Sequence, residues 1–251
     1  MQTARTSSGC STPHGTGCSQ STAPDWRHYL RVRRGQGFAG AQCVTTQRRA
    51  FVPEVAQKAA FLGSAPTKVN PCFFTDLDTR IALMVEEGMV PALVAVWCCT
   101  PSDPGRALGE EDVLALGRYI VSRYEAYPLV WFLGGDGDYR GEKAEMWKRI
   151  GRSVFTSGAA RIATMHPCGR QWVADEFRSE PWYSFVGYQS GHAAPEVSAE
   201  WIHSPQVSVE HRREPPRPLI DLEPRYEHHI PYSMDRVFTT GEIPMVCTGV
   251  R

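Results

Sequence analysis

Six short apolar runs recur along this chain, with amphipathic stretches between most of them, and that order restricts the fold more than any other feature. The runs are Phe38 to Thr45, Val90 to Trp97, Leu129 to Gly134, Ala160 to Met165, Ser184 to Tyr188 and Pro218 to Leu222. They are apolar without strict alternation, the pattern of strands covered on both faces. Helical periods separate them. Thr75 to Glu87 carries Leu77, Ile81, Met84 and Val85 on one face, Glu110 to Tyr124 carries Val113, Leu114, Leu116, Ile120 and Val121, and Glu142 to Phe155 carries Met146, Trp147, Ile150 and Val154. Strands that alternate with helices predict a parallel sheet with helices outside it. A further helix is expected from Pro24 to Gly35, with Pro and Asp in its first turn and a glycine to stop it.

The length of 251 residues suits a β/α barrel, of which about six of the eight strands can be recognised. The open alternative is a doubly wound sheet with a nucleotide crevice. That fold wants a Gly-rich turn after its first strand, whereas Gly35-Gln-Gly37 precedes a strand, and there is no phosphate-binding G-x-x-x-x-G-K-[ST] segment. The expected class is therefore α/β, an incomplete (β/α)8 TIM-barrel-like domain over residues 24–243. An irregular leader is expected at 1–23 and an irregular tail at 244–251.

Basic and acidic residues cancel, 27 against 27, so the charge balance points to neither nucleic acid nor a membrane surface as partner. There is no apolar run of about 18 residues that would span a bilayer, and the N-terminus lacks the pattern of a secretory signal. The eight cysteines form no C-x-x-C pair. They suggest small core residues in a reducing compartment, which makes a cytoplasmic location the expectation.

Polar groups cluster just after the apolar runs. Trp97 ends the second, Gly134-Gly-Asp136 the third, His166-Pro167 the fourth, Gln189-Ser-Gly-His192 the fifth and Glu223-Pro-Arg-Tyr-Glu227 the sixth. On a barrel the C-terminal strand ends share one rim, where catalytic groups sit. Two carboxylates there, Asp136 and Glu223, are the minimum equipment for cleaving a glycosidic bond. The structural alternatives are a turn or helix cap for Asp136, a salt bridge to Arg217 or Arg225 for Glu223, and backbone-bonded core histidines. A mixed metal site from Asp136, His166, Cys168 and His192 is the chemical alternative, although no H-E-x-x-H segment occurs. No cofactor is expected.

These motifs together resemble the apiosidase-like glycoside hydrolases, a (β/α)8-barrel family. The resemblance runs from Pro24 to about Glu242. It rests on Tyr29-Leu-Arg31, Gly35-x-Gly-Phe38, Asn70-Pro-x-Phe-Phe-x-x-Leu-Asp78, Trp97, Arg118-Tyr119, Arg123-Tyr124, Trp131-Phe-Leu-Gly-Gly-Asp136, His166-Pro167, Gln189-Ser-Gly-His192 and Glu223-Pro-Arg-Tyr-Glu227. It implies a retaining glycosidase with Asp136 as acid/base and Glu223 as nucleophile. Trp97, His166, Gln189, His192, Tyr226 and Glu227 would bind substrate, a plant or microbial polysaccharide. Trp97 or Trp131 would offer a ring face to the sugar. The family begins with a further strand, but Thr6 to Ser21 has no strand character. It continues past Thr240 into a last strand, which Ile243 to Arg251 does not resemble. The chain is therefore expected to be a barrel core lacking its first and last strands. A non-catalytic carbohydrate-binding relic and a metal-dependent hydrolase are the competing functions.

Overall fold

Among the described residues, seven parallel strands follow one another in space in the order of the sequence. They are β1 (Thr6–Ser7), β2 (Gly40–Val44), β3 (Val90–Trp97), β4 (Val130–Gly137), β5 (Ile162–Pro167), β6 (Val186–Tyr188) and β7 (Leu219–Asp221). The structure, a computed structural model, describes residues 6–7, 17–46, 59–62, 68–156, 161–226, 230 and 236–237. The expected tail, Glu227 and the His228-His229 pair lie outside the described residues. Strands β1 to β5 form one sheet, and β6 with β7 a second. The two join at a parallel bridge between Ala163 and Tyr183. Thr164 Oγ1 strengthens that seam, donating to Phe185 O at 2.7 Å and accepting from Gly187 N at 3.1 Å.

The wall is curved. Parallel neighbours stand about 4.8 Å apart, so β2 and β5, three places apart, would be separated by about 14 Å in a flat sheet. Instead Gln42 Nε2 on β2 lies 3.3 Å from His166 Nδ1 on β5. Val44, Val94, Phe132, Phe185 and Leu222 pack together inside the curve. The fold is an incomplete TIM-barrel-like α/β structure.

Nine helices are described: α1 (Gly17–Gln20), α2 (Ala23–Gly35), α3 (Pro71–Glu86), α4 (Pro104–Ala107), α5 (Glu110–Tyr124), α6 (Glu142–Val154), α7 (Ala174–Phe177), α8 (Pro195–Ile202) and α9 (Pro205–Val209). The longest lie where the periodicity predicts them. Leu77, Ile81 and Met84 of α3, Ile120 and Val121 of α5, and Trp147 and Ile150 of α6 are buried in one cluster with Leu93, Ala95, Trp131, Leu133, Ala163 and Met165 from the strands. Burying each large aliphatic side chain stabilises the fold by about 1.5–3 kcal/mol. This outer layer holds the wall in its curve.

The structure differs from the sequence reading in four places. Helix α3 begins at Pro71, four residues before the expected start, because Asn70 caps it by accepting from Cys72 N at 3.1 Å. Strand β4 continues through Gly137 rather than ending at Gly134. Within residues 1–23, expected to be irregular, Thr6 and Ser7 pair with Gly40 and Ala41, and α1 forms a turn with Cys18 fully buried. Two residues paired through their backbones leave no side-chain period to read. The core-cysteine reading holds for Cys18, Cys43 and Cys98, whereas Cys72 is exposed and Cys99 and Cys168 are half-buried.

Candidate active site

Asp136 and Glu223 lie at the ends of their strands by different backbone devices. Asp136 is the extra residue of a β-bulge, since Gly135 pairs with His166 and Gly137 with Pro167. Its φ of +47° is in the left-handed region. A non-glycine residue there carries strain, and bulges re-aim side chains next to sites. The glycines before it are steric requirements rather than turn signals. A Cβ on Gly135 would sit 2.5 Å from Cε3 of Trp97. Helix α6 is capped at Gly141 with no side-chain cap, so capping is not the role of Asp136. Its charge raises the thiols of Cys98 and Cys168, although burial is the larger cause for both and pushes Cys98 up to about 12.

Glu223 follows β7, where strand pairing stops at Asp221. Asp221 Oδ1 accepts from Glu223 N at 3.3 Å, an Asx turn that bends the chain at the strand end. The Glu223 carboxylate then lies between two imidazoles. His192 Nε2 is 2.9 Å from Oε1, a hydrogen bond, and His166 Nε2 is 3.2 Å from Oε2. The His166 contact is close but poorly aligned, for Nε2 completes no well-directed hydrogen bond. An ionised carboxylate only accepts, so His192 carries its proton on Nε2. Burial opposes the charge on Glu223. The contacts with His166 and His192 outweigh it and hold the carboxyl well below its ordinary range.

The other expected site residues divide clearly. Trp97 closes β3 and meets the His166 ring edge-on at 6.0 Å, and Phe132, which the sequence reading did not single out, does the same from β4. Tyr226 packs on His192 with ring centroids 4.4 Å apart. Gln189 is almost fully buried, and its backbone O accepts from Arg170 N at 2.8 Å. Trp97 Nε1 and Gln189 Oε1 are buried and make no hydrogen bond among the described residues. Trp131 is corrected: it faces the helix layer, tilted against Phe155, and does not line the rim. Arg217 donates to the backbone O of Arg178 rather than holding Glu223.

Gln42 and Asp221 are the polar residues the sequence reading missed. The amide Nε2 of Gln42 can only donate, so Nδ1 of His166 accepts and Nε2 carries the hydrogen that faces Glu223. Asp221 was visible only as part of an apolar run. Among the described residues, no three His, Cys, Asp or Glu side chains form a group that could hold a metal ion. Nε2 of each of the two histidines contacts Glu223.

The sequence signature of the apiosidase-like catalytic domain matches residues 16–243, which contain every group described above. The chain belongs to the apiosidase-like family. Among solved structures, a glycoside hydrolase family 5 protein from Bacteroides vulgatus superposes with a TM-score of 0.68 at 21% identity, over 89% of this chain and 51% of that one. A second glycoside hydrolase superposes with a TM-score of 0.66 at 20% identity, over 84% of this chain and 51% of that one. This apiosidase-like chain thus spans about half the length of the solved structures it matches. At these identities the likeness concerns the fold. No curated protein sequence matches the chain. No helix among the described residues is long and apolar enough to cross a membrane.

Proposed function

We propose that this apiosidase-like domain hydrolyses glycosidic bonds of plant or microbial polysaccharides with retention of configuration, using Glu223 as nucleophile and Asp136 as acid/base. The observation that carries this reading is the Glu223 carboxylate, largely but not fully buried at a strand end and kept anionic between His166 and His192. Oε1 is committed to a well-formed bond with His192, whereas Oε2 has only the misaligned contact with His166. Oε2 therefore keeps a lone pair for the anomeric carbon. It attacks, the bond to the leaving oxygen breaks, and Asp136 gives that oxygen its proton. Asp136 then takes a proton from water as the water displaces Glu223, so the net reaction adds one water across the bond. A retaining mechanism asks for the two carboxyls about 5–5.5 Å apart.

Around this pair, Trp97 offers an aromatic surface and an indole N–H, and Gln189 Oε1 offers an acceptor for a sugar hydroxyl. Leaving such groups unpaired costs about 1–3 kcal/mol each, which a bound sugar would recover. Tyr226 and Glu227 complete the substrate-binding set in this reading. The test is hydrolysis of a panel of aryl glycosides and plant polysaccharides by the wild type and by Glu223→Gln, which keeps the shape and removes the charge. The expected result is turnover by the wild type and none by the variant. Equal turnover by both overturns the assignment. Sugar binding without turnover by the wild type would favour the non-catalytic carbohydrate-binding reading.

A further inference from the structure

Asp221, two residues before Glu223, is a partly buried carboxylate with no part in the chemistry described above. It ends β7 opposite Tyr188 of β6. Its Oδ1 accepts from two backbone N–H groups, Ser190 at 3.2 Å and Glu223 at 3.3 Å. Ser190 belongs to the loop after β6 that carries His192. A third bond ties the same two segments, from Gly191 N to Glu223 O at 3.2 Å. The His192–Glu223 contact of 2.9 Å is thus set by a small frame of backbone bonds that meet on one carboxylate oxygen. The other oxygen, Oδ2, is buried and makes no hydrogen bond among the described residues.

We infer that Asp221 is a positioning residue, whose carboxylate holds the backbone of Glu223 and of the His192 loop in the register that keeps the His192–Glu223 pair together. The inference rests on the reading of Glu223 as nucleophile for its effect on rate, but the frame itself is independent of that reading.

The position is a poor one for a charge. Burial pushes the Asp221 carboxyl up to about 6, although the hydrogen bonds from Ser190 and Glu223 and the nearby His166 imidazole act the other way. The titratable groups around it are Tyr188 from β6, His166 from β5 and Glu223 on its own segment. The Tyr188 phenol is itself raised, by burial first and by Asp221 second, and stays neutral. An apolar or amide side chain would suit this environment better. A carboxylate suits it only because two N–H donors must be held at once. Below about pH 6 Asp221 takes up a proton and becomes a weaker acceptor for both.

The experiment compares the wild type with D221N and D221A across pH 4.5–8. It reads kcat and KM on an aryl glycoside and the backbone amide signals of Ser190 and Glu223 by NMR. D221A is expected to lose kcat by roughly 100-fold with little change in KM, since a small misplacement of a reacting group costs about that much. D221N keeps an amide oxygen where Oδ1 stands. It is expected to recover part of that loss, to stay below the wild type at pH 7.5, and to remove the acid limb near pH 6. In the wild type those two amide signals are expected to inflect near pH 6 as Asp221 titrates, and in D221N they are not. This readout needs no turnover, so a chain that hydrolyses nothing would refute the glycosidase reading and still test the frame. Amide signals of Ser190 and Glu223 with the same pH dependence in all three proteins overturn the inference, as does a D221A chain with wild-type kcat.

Discussion

Gln42 and His166 come from strands three places apart, yet Nε2 of one lies 3.3 Å from Nδ1 of the other across the inside of the wall. The contact does two things at once. It records the curvature of the sheet, and it fixes which imidazole nitrogen presents a hydrogen to Glu223. A residue on the second strand thereby controls a group on the fifth that touches the proposed nucleophile on the seventh.

Replacing Gln42 with Leu keeps much of the volume and removes the donor. Nδ1 of His166 then loses the bond that selects its tautomer. A typical hydrogen bond is worth about 1 kcal/mol, so kcat is expected to fall roughly fivefold. The nitrogen-15 shifts of His166 should report a mixture of tautomers in place of the single Nε2–H form. An unchanged single form in Q42L would show that the tautomer is set elsewhere.

His192→Phe keeps a ring to pack on Tyr226, whose centroid is 4.4 Å away, and removes the Nε2–H that bonds Glu223. The sign of the effect follows from the opposing causes at Glu223. Burial raises its pKa, and the two histidines lower it by more. With one histidine gone the balance moves upward, so the nucleophile is protonated over a wider acid range. The acid limb of kcat/KM should shift to higher pH. The buried carboxylate also loses an obligatory donor, which should cost about 1–3 kcal/mol of stability. A pH–rate profile and a urea titration check the two parts separately. A profile superimposable on that of the wild type would remove His192 from the account of Glu223.

How much of this was legible in the sequence depended on whether the deciding partner was local. The strand and helix pattern was readable because burial on a wall repeats along the chain, and the apolar runs became β2 to β7. Asn70-Pro71 was a readable helix start, because an Asn cap and a Pro at the first helical position are local signals, but apolar periodicity alone placed the helix later. Asp136 illustrates a local signal with the opposite meaning. Gly-Gly-Asp is ordinary turn vocabulary, and only the Trp97 ring against Gly135 reveals that the glycines make room within a strand. Gln42 was unreadable, since its partner lies 124 residues away and a lone glutamine in an apolar run has no distinguishing pattern. Asp221 was hidden for a related reason, because its value lies in backbone N–H groups that no sequence motif identifies.

Asp221→Asn should make the protein more stable at neutral pH while making it a poorer catalyst. The Asp221 carboxyl is raised by burial from about 4 in the unfolded chain to about 6 in the fold. A raised carboxylate pKa means that the folded state binds its proton more tightly than the unfolded state does. The wild type therefore gains stability as pH falls from about 6 to about 4, and its ionised Asp221 is a cost above that range. The amide never ionises, so D221N avoids a cost of up to roughly 3 kcal/mol at pH 7.5, and the difference disappears below about pH 4. Urea denaturation at pH 7.5 and pH 4 measures both ends. A D221N protein that is less stable than the wild type at pH 7.5 would mean that the charge-assisted bonds to Ser190 and Glu223 outweigh the burial.

Asp136→Asn separates the acid role from every other role of that residue. Asparagine has nearly the same shape, and it is among the residues that best tolerate a left-handed backbone, so the bulge at φ +47° should survive. What is lost is the proton. A leaving group that departs as a stable anion needs little protonation, whereas a sugar alkoxide needs a great deal. The variant should therefore cleave an activated aryl glycoside at a first-step rate within about tenfold of the wild type. It should lose roughly 100-fold or more on an unactivated disaccharide or polysaccharide, the usual scale of general-acid catalysis. Loss of the base should also slow release of the glycosyl group from Glu223, so a burst of aryl alcohol is expected before a slow steady state. Single-turnover and steady-state measurements on both substrate types read these effects apart. Equal losses on both substrates, with no burst, would mean that Asp136 serves the bulge or the binding of sugar rather than proton transfer, and the acid would have to be sought on another strand end.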